Sequence, residues 1–386
     1  MQAPIYIHQL VTCSAIGSDV QDRLAAYRQA RHRFTKDTYW QAPIHKDVQD
    51  WLDAAPLHIQ NQDRSIQLAL YCAAQLRQVP KNAGLNLGSS RGATSVWEQA
   101  MAQFSEYNRV PASTSPSTTL GNLSTQIARS LGTDGPALSH SITCSTAGHS
   151  ILNAIAWLQS GMSDYFIAGG TESCLTDFTQ AQMEALRLSS RSNDPYPSRP
   201  MDVTKKNNSM ILGEGAGLVT LSTTAHRSRK RAPEHNTDIP AQYCLSGYGW
   251  GNEHAGSAAG ITSEGIALQR SMRIACEVIG TKNIDAIVTH CPGTILGDRA
   301  ELNAINNVFG REHPPLTNNK WLLGHSFGAS MMLSLDMALL MLQEDEVFAV
   351  PYLEPPARKS APLQNILVNS IGFGGNAVSL VVSVLE

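Results

Sequence analysis

The feature that most constrains this chain is an alternation of short apolar runs with longer amphipathic ones, laid down twice. In the first half, Leu138 to Thr143 reads as a strand that breaks abruptly at Cys144. A helix follows from about Ala147 to Ser160, with Ile151, Ala154, Ile155 and Leu158 on one face. Asp164 to Ala168 is the next strand, closing on Gly169-Gly170. In the second half, Ile284 to Thr289 is a strand ending at His290, and a helix opens near Asp298. Leu316 to Leu323 leads to Gly324-His325, after which a helix buries Met332, Leu335, Leu339 and Leu342. Asn365 to Ser370 and Ala377 to Leu385 then frame a glycine-rich turn. Strand-helix-strand order in both halves predicts layered α/β architecture with right-handed crossovers. Nearer the start, Tyr6 to Thr12 and Leu85 to Gly88 read as strands, and residues 111–120 as an irregular Ser/Thr/Pro-rich loop. The halves are placed at 1–225 and 240–386, with a basic, Pro-containing join (His226 to Arg231, Pro233, Pro240) read as a solvated linker.

With 386 residues, the chain is long enough for two domain-sized cores. A formal charge of −3 excludes the electrostatic footprint of a nucleic-acid or anionic-membrane binder. Met1 to Ser18 lacks the pattern of a signal peptide, and no run reaches the ~20 apolar residues of a membrane span. The most apolar candidate, Met331 to Leu342, carries Asp336 and reads as a core helix. Cysteines stand at 13, 72, 144, 174, 244, 276 and 291, an odd number with no C-x-x-C pair. That pattern excludes a disulfide framework and a zinc site, and places the expected location in the reducing cytoplasm.

Three sites carry candidate chemistry. Cys144 lies between strand and helix in Ser141-Ile142-Thr143-Cys144-Ser145-Thr146-Ala147-Gly148, where small residues permit a tight nucleophile-bearing turn. At a helix N-terminus its thiolate is expected to be stabilised and its pKa lowered. Of twelve histidines, only His290 and His325 stand at strand-to-helix junctions, where side chains face the ligand crevice of an open α/β sheet. The run Asn369-Ser370-Ile371-Gly372-Phe373-Gly374-Gly375-Asn376 suits either a plain hairpin or close amide approach to an oxyanion. No helix follows its glycines, so it is not a dinucleotide fingerprint.

Together these features resemble the β-ketoacyl-acyl-carrier-protein synthases that use a Cys-His-His triad, members of the thiolase-like superfamily. The resemblance runs over most of the chain and is strongest from about residue 111. It is carried, in order, by Thr143-Cys144-Ser145, Ala168-Gly169-Gly170-Thr171-Glu172, Ser198-Arg199-Pro200-Met201-Asp202 and Gly213-Glu214-Gly215-Ala216-Gly217. His290 with Gly297-Asp298, Lys320 with Gly324-His325, and Gly372-Phe373-Gly374-Gly375 complete the series. The resemblance implies a five-layered α-β-α-β-α fold from two pseudo-repeated halves. It also implies decarboxylative Claisen condensation of an acyl thioester on Cys144 with malonyl-acyl carrier protein, elongating fatty-acid, polyketide or polyene chains. In that reading Cys144, His290, His325 and Lys320 are catalytic, with Lys320 tuning the second histidine. The amides of Cys144 and Phe373 form the oxyanion hole, and Phe373 gates the acyl tunnel. Thr294 meets the pantetheine arm, Met210 and Ile371 contact substrate, and no metal or diffusible cofactor is required. The implied partners are an acyl carrier protein, which the basic join could also dock, and a second chain. That chain is identical or a paralogue and pairs along the strand that leads into Cys144, with the loop at 111–122 lining the tunnel.

The sequence departs from the family pattern in several places. Cys291-Pro292 follows His290 where Gly-Thr is usual, and Ser334 stands in place of a glutamate, with Asp336 nearby. The loop from Asp202 to Gly213 is about two residues longer than usual. Met210 and Ile371 replace aromatic residues, and Asn376 a threonine. These differences suit a specialised polyene or pigment pathway as well as housekeeping fatty-acid synthesis, with the Asn376-Ala377-Val378-Ser379 ending leaning to the specialised option. The alternative reading is a non-catalytic chain-length partner of a ketosynthase heterodimer, against which the retained Cys144 argues. A degradative thiolase would need a second cysteine near the C-terminus, and the last one is Cys291.

Overall fold

The computed structural model describes residues 4–224, 243–254, 256, 260–356 and 361–385. The basic join therefore lies outside the described residues. Ten strands form one hydrogen-bonded sheet: β1 (Ile5–Cys13), β2 (Gly84–Gly88), β3 (Ala137–His140), β4 (Tyr165–Glu172), β5 (Gly215–Ser222), β6 (Tyr243–Gly251), β7 (Ala286–Val288), β8 (Leu316–Thr317), β9 (Asn365–Ile371) and β10 (Ala377–Val384). Their spatial order is β8-β7-β9-β10-β6-β1-β5-β4-β2-β3. Each strand of the first half thus has a counterpart five numbers later. β2 pairs in parallel with β3 and β4, as β7 does with β8 and β9. The remaining pairings, β4–β5, β1–β5, β9–β10 and β6–β10, are antiparallel. Two residue pairs, Ile5 with Leu245 and Tyr6 with Cys244, join the half-sheets edge to edge.

Helices build the other layers. α1 (Arg64–Gln75) and α2 (Asn122–Leu131) cover the outer face of the first half-sheet, and α4 (Ile266–Ala275) with α5 (Ile295–Phe309) covers that of the second. Between the half-sheets lie α3 (Thr146–Gln159) and α6 (Ser330–Glu344), which touch strands of both. The order is α-β-α-β-α. Every residue of α6 from Ser330 to Leu342 is buried, which explains its all-round apolar surface. The helix dimension of the core is therefore central: Ile151, Ala154, Ile155 and Leu158 of α3 share one cluster with Met332, Leu335, Leu339 and Leu342 of α6.

Several local expectations shift. β4 does not close at Gly169-Gly170 but runs through both glycines to Glu172. A Cβ at Gly169 would lie 2.5 Å from Leu87 and Leu218, and one at Gly170 would lie 2.4 Å from the Gly328 carbonyl. Close packing, not a turn, demands the glycines. The strand before Cys144 ends early, at His140. Leu316–Leu323 is a two-residue strand followed by a single helical turn, Lys320–Leu323. Residues 111–120 hold one short helix, Thr114–Thr118; its Ser117 and the following Thr119 and Leu120 line a small cavity with Ser89 and Gly92.

Candidate active site

Cys144 sits in a turn held by its own hydroxyls. Thr146 Oγ1 donates to the Thr143 carbonyl (2.6 Å) and accepts from the Ile142 amide (2.9 Å). Thr143 is thereby kept at φ +47°, a left-handed conformation that β-branched residues rarely adopt. The turn delivers the sulfur two residues ahead of α3, buried at 5 % exposure.

His325 arrives from the other half. Gly324, at φ +69°, breaks the preceding helical turn, and the His325 backbone is clamped to residues 211–213. Its amide donates to Ile211 O (2.7 Å) and its carbonyl accepts from the Gly213 amide (3.1 Å). His325 Nε2 then lies 3.3 Å from Cys144 Sγ, with Nδ1 3.0 Å from Ser330 Oγ. His290, just past the carboxyl end of β7, stands edge-on to His325 with ring centroids 5.2 Å apart. Its backbone is held by Glu301 on α5, which accepts from the amides of His290 (2.9 Å) and Cys291 (2.6 Å) and from Asn369 Nδ2 (3.1 Å).

Electrostatics here are governed by burial. Both imidazoles are driven well below the usual histidine range, first by desolvation and then by the nearby Lys320 ammonium, and His290 also by His325. They are neutral at pH 7. Lys320 is itself lowered by burial, and its Nζ has no hydrogen-bond partner among the described residues. Cys144 corrects the expectation drawn from the helix terminus. Desolvation, with the charge of Glu172 second, pushes the thiol up to about 12, and Lys320 and the amides of Phe373 and Cys144 oppose this only in part. Cys144 is a thiol beside a neutral imidazole, not a preformed thiolate.

The other expected residues divide. The glycine-rich run is a hairpin turn between β9 and β10 and also brings the Phe373 amide to the sulfur. Met210 joins the apolar cluster around Cys144, together with Cys174, Met183, Leu212 and Phe327. Ile371 does not: it packs with Leu268 and Met272 of α4 on the outer side of the sheet. Strand alternation is the reason, because its neighbour Ser370 faces inward and donates to the Cys144 carbonyl (3.2 Å). Thr294 caps α5, accepting from the Gly297 amide (3.2 Å) beside a cleft of about 1000 Å³. That cleft is lined by Arg187, Arg191, Arg199, Lys205 and Lys206, against the carboxylates of Asp194 and Asp202. Asp336 does not stand in for the missing glutamate, since Arg23 holds it in a buried ion pair at 2.6 Å. Glu301 and Ser330 were missed by sequence reasoning. The signal for Glu301 was a second acid, one turn after Asp298, on an otherwise apolar helix face.

Comparison with known proteins agrees with this layout. The sequence profile of the beta-ketoacyl synthase N-terminal domain matches residues 14–227, and that of the C-terminal domain matches residues 244–353. A 3-oxoacyl-[acyl-carrier-protein] synthase 1 from Buchnera aphidicola is 29 % identical over 329 residues, covering 80 % of this chain and 77 % of the relative. Among solved structures, the ishigamide ketosynthase/chain length factor superposes with a TM-score of 0.83 at 22 % identity over the whole of both chains. A ketosynthase in complex with its chain length factor from Xenorhabdus doucetiae gives 0.80 at 22 % identity, covering 99 % of this chain and 98 % of that one. The fold is that of the thiolase-like ketosynthases. With both of the family's domains matched in order, this chain belongs to the beta-ketoacyl synthase family.

Proposed function

We propose that this protein condenses an acyl group carried on Cys144 with a malonyl group carried by an acyl carrier protein, releasing CO₂. The observation that carries this reading is the approach of His325 Nε2 to Cys144 Sγ at 3.3 Å, with His290 edge-on beside it. In acyl loading, the sulfur attacks the thioester carbonyl as its proton passes to Nε2 of His325. The oxyanion is received by the amides of Cys144 and Phe373, and the departing pantetheine thiolate takes the proton back. The acyl chain has an apolar neighbourhood in Cys174, Met183, Met210 and Phe327.

In condensation, His290 and His325 hold the malonyl thioester carbonyl. Loss of CO₂ leaves its bonding electrons as an enolate, which attacks the acyl-cysteine carbonyl and expels the Cys144 thiolate to be reprotonated. Neutral rings suit this task because they stabilise an enolate oxygen without quenching the carbanion. The Ser330 hydroxyl both donates and accepts, so His325 can serve as acceptor to the thiol and donor to the carbonyl.

The cationic cleft supports an acidic carrier with a phosphate-bearing arm. Its lining residues Ser189 and Ser209 adjoin Leu188 and Met210, which pack around Cys144. The unpaired outer edge of β3, with Leu138 exposed, supports pairing with a second chain.

The test is incubation with acyl- and malonyl-carrier thioesters, followed by mass analysis of the Cys144 peptide and measurement of CO₂. Wild type is expected to load and to decarboxylate. His290→Ala should load Cys144 yet release CO₂ at least about 100-fold more slowly, whereas His325→Ala should slow both. A Cys144 that stays unmodified under all conditions would refute condensation and leave a chain-length role.

A further inference from the structure

Thr143, the residue immediately before the nucleophile, has no part in the chemistry above, yet it stands in an unfavourable conformation that the local structure takes trouble to hold. Its carbonyl accepts from Thr146 Oγ1 (2.6 Å) and from the Thr146 amide (3.3 Å), and the Ser145 amide donates to Ile142 O (3.2 Å). A left-handed β-branched residue so restrained points to a function for its side chain.

That side chain leaves the turn and reaches the opposite hairpin. Thr143 Oγ1 lies 3.4 Å from the Phe373 carbonyl oxygen, to which it donates. It also lies directly over Gly372, where a Cβ would come within 1.9 Å of Oγ1 and 3.0 Å of the Cys144 amide nitrogen. The hydrogen bond is long, so the hold is as much contact as hydrogen bond. Ser370, two residues before Gly372, donates to the Cys144 carbonyl at 3.2 Å. The turn at 142–146 and the hairpin at 370–376 therefore meet through two hydroxyls, one from each side.

We propose that Thr143 is a positioning residue for the oxyanion hole: its hydroxyl, bonded to the Phe373 carbonyl and packed over Gly372, fixes the two peptides that flank Phe373 so that the Phe373 amide and the Cys144 amide converge on one point beside the sulfur. The two donors come from opposite halves of the chain, and nothing in either loop alone sets their separation. An oxyanion hole depends on that separation being set before the reaction starts. Left-handed geometry at Thr143 is what turns the side chain away from α3 and onto the hairpin. This inference rests on the acyl-transfer reading of the site, and its test separates the two.

The test compares two reactions at the same sulfur. Acylation of Cys144 by an acyl-carrier thioester passes through an oxyanion, whereas alkylation by iodoacetamide does not. Thr143→Val keeps the branching and the shape but removes the hydroxyl; Thr143→Ser restores it. Gly372→Ala places a methyl against Thr143 Oγ1 and so forces the hairpin and the turn apart. Thr143→Val is expected to slow acylation roughly tenfold or more while alkylation stays within about threefold, and Thr143→Ser is expected to recover most of the acylation rate. Gly372→Ala should show the same selective loss, and it serves alone if Thr143→Val does not fold. Equal acylation by wild type and Thr143→Val, or acylation and alkylation falling together in every folded variant, overturns the inference. A wild type that is alkylated but never acylated overturns the acyl-transfer reading and this inference with it.

Discussion

Replacing Glu301 by glutamine tests how the second half holds its catalytic face. Glu301 is 1 % exposed and accepts from two backbone amides, those of His290 and Cys291, and from Asn369 Nδ2. A glutamine offers one acceptor oxygen and turns an NH₂ toward the remaining donor. One buried amide is then left without a partner, costing about 1–3 kcal/mol. The surviving hydrogen bonds lose their charge assistance, at about 1 kcal/mol each. Lys320, whose largest charge attraction is to Glu301, loses it. The sum is about 3–5 kcal/mol, a large part of the 5–15 kcal/mol typical of a folded domain. In urea the unfolding midpoint of Glu301→Gln should fall by about 1–2 M with its slope unchanged, and decarboxylation should fall with it as the His290 backbone loosens. A Glu301→Gln protein within 1 kcal/mol of wild type, with full decarboxylation, would refute the view that this carboxylate positions His290.

Burial raises Glu172 from 4.5 to about 7, although Ser89 Oγ and the amides of Ser90, Arg91 and Gly328 all donate to it. Between those pH values the folded protein keeps a proton that the unfolded chain has released. Stability is therefore full below about 4.5 and falls by roughly 3 kcal/mol as pH rises to 7. Asp298, raised from 3.8 to about 6, adds to the lower part of that window. Urea midpoints measured across pH 4–8 should show a shallower decline in Glu172→Gln, and a slope equal to wild type would contradict the assignment. Met183 is buried in the cluster around Cys144, so Met183→Ala should admit acyl chains roughly two or three carbons longer, at a cost of about 2–4 kcal/mol in stability. Loading rates across an acyl-chain series check this, and an unchanged preference in a folded variant would exclude Met183 from the acyl site.

The strands and helices that frame the site were legible because their periods are strong. The i, i+3, i+4, i+7 face of α3 and the apolar runs of β7, β9 and β10 survive in the structure with boundaries moved by one or two residues. β4 was read too short because a Gly-Gly pair is the ordinary mark of a turn. Only its neighbours, Leu87, Leu218 and Gly328, reveal that the glycines clear space inside a strand. Met210 lies in the cluster around Cys144, whereas Ile371 faces the outer side of the sheet, because alternation along β9 turns Ser370 inward instead.

Local order along the chain was enough to specify the layered α/β architecture and the strand-to-helix turns, because each depends on neighbours within a few residues; that Cys144, His290 and His325 belong together came from the ordered family motifs. The protonation state of Cys144 was not accessible in that way. A helix terminus favours a thiolate, but Cys144 also sits among side chains from both halves that exclude water, and that desolvation outweighs Lys320 and the nearby amides. The partners of the site followed the same rule. Glu301, Ser330 and the Thr143–Phe373 contact lie far apart in sequence and matter only once α5, α6 and the β9–β10 hairpin have closed over Cys144. Fields and contacts between distant segments fall off over a few ångströms, so only the folded chain could assign them.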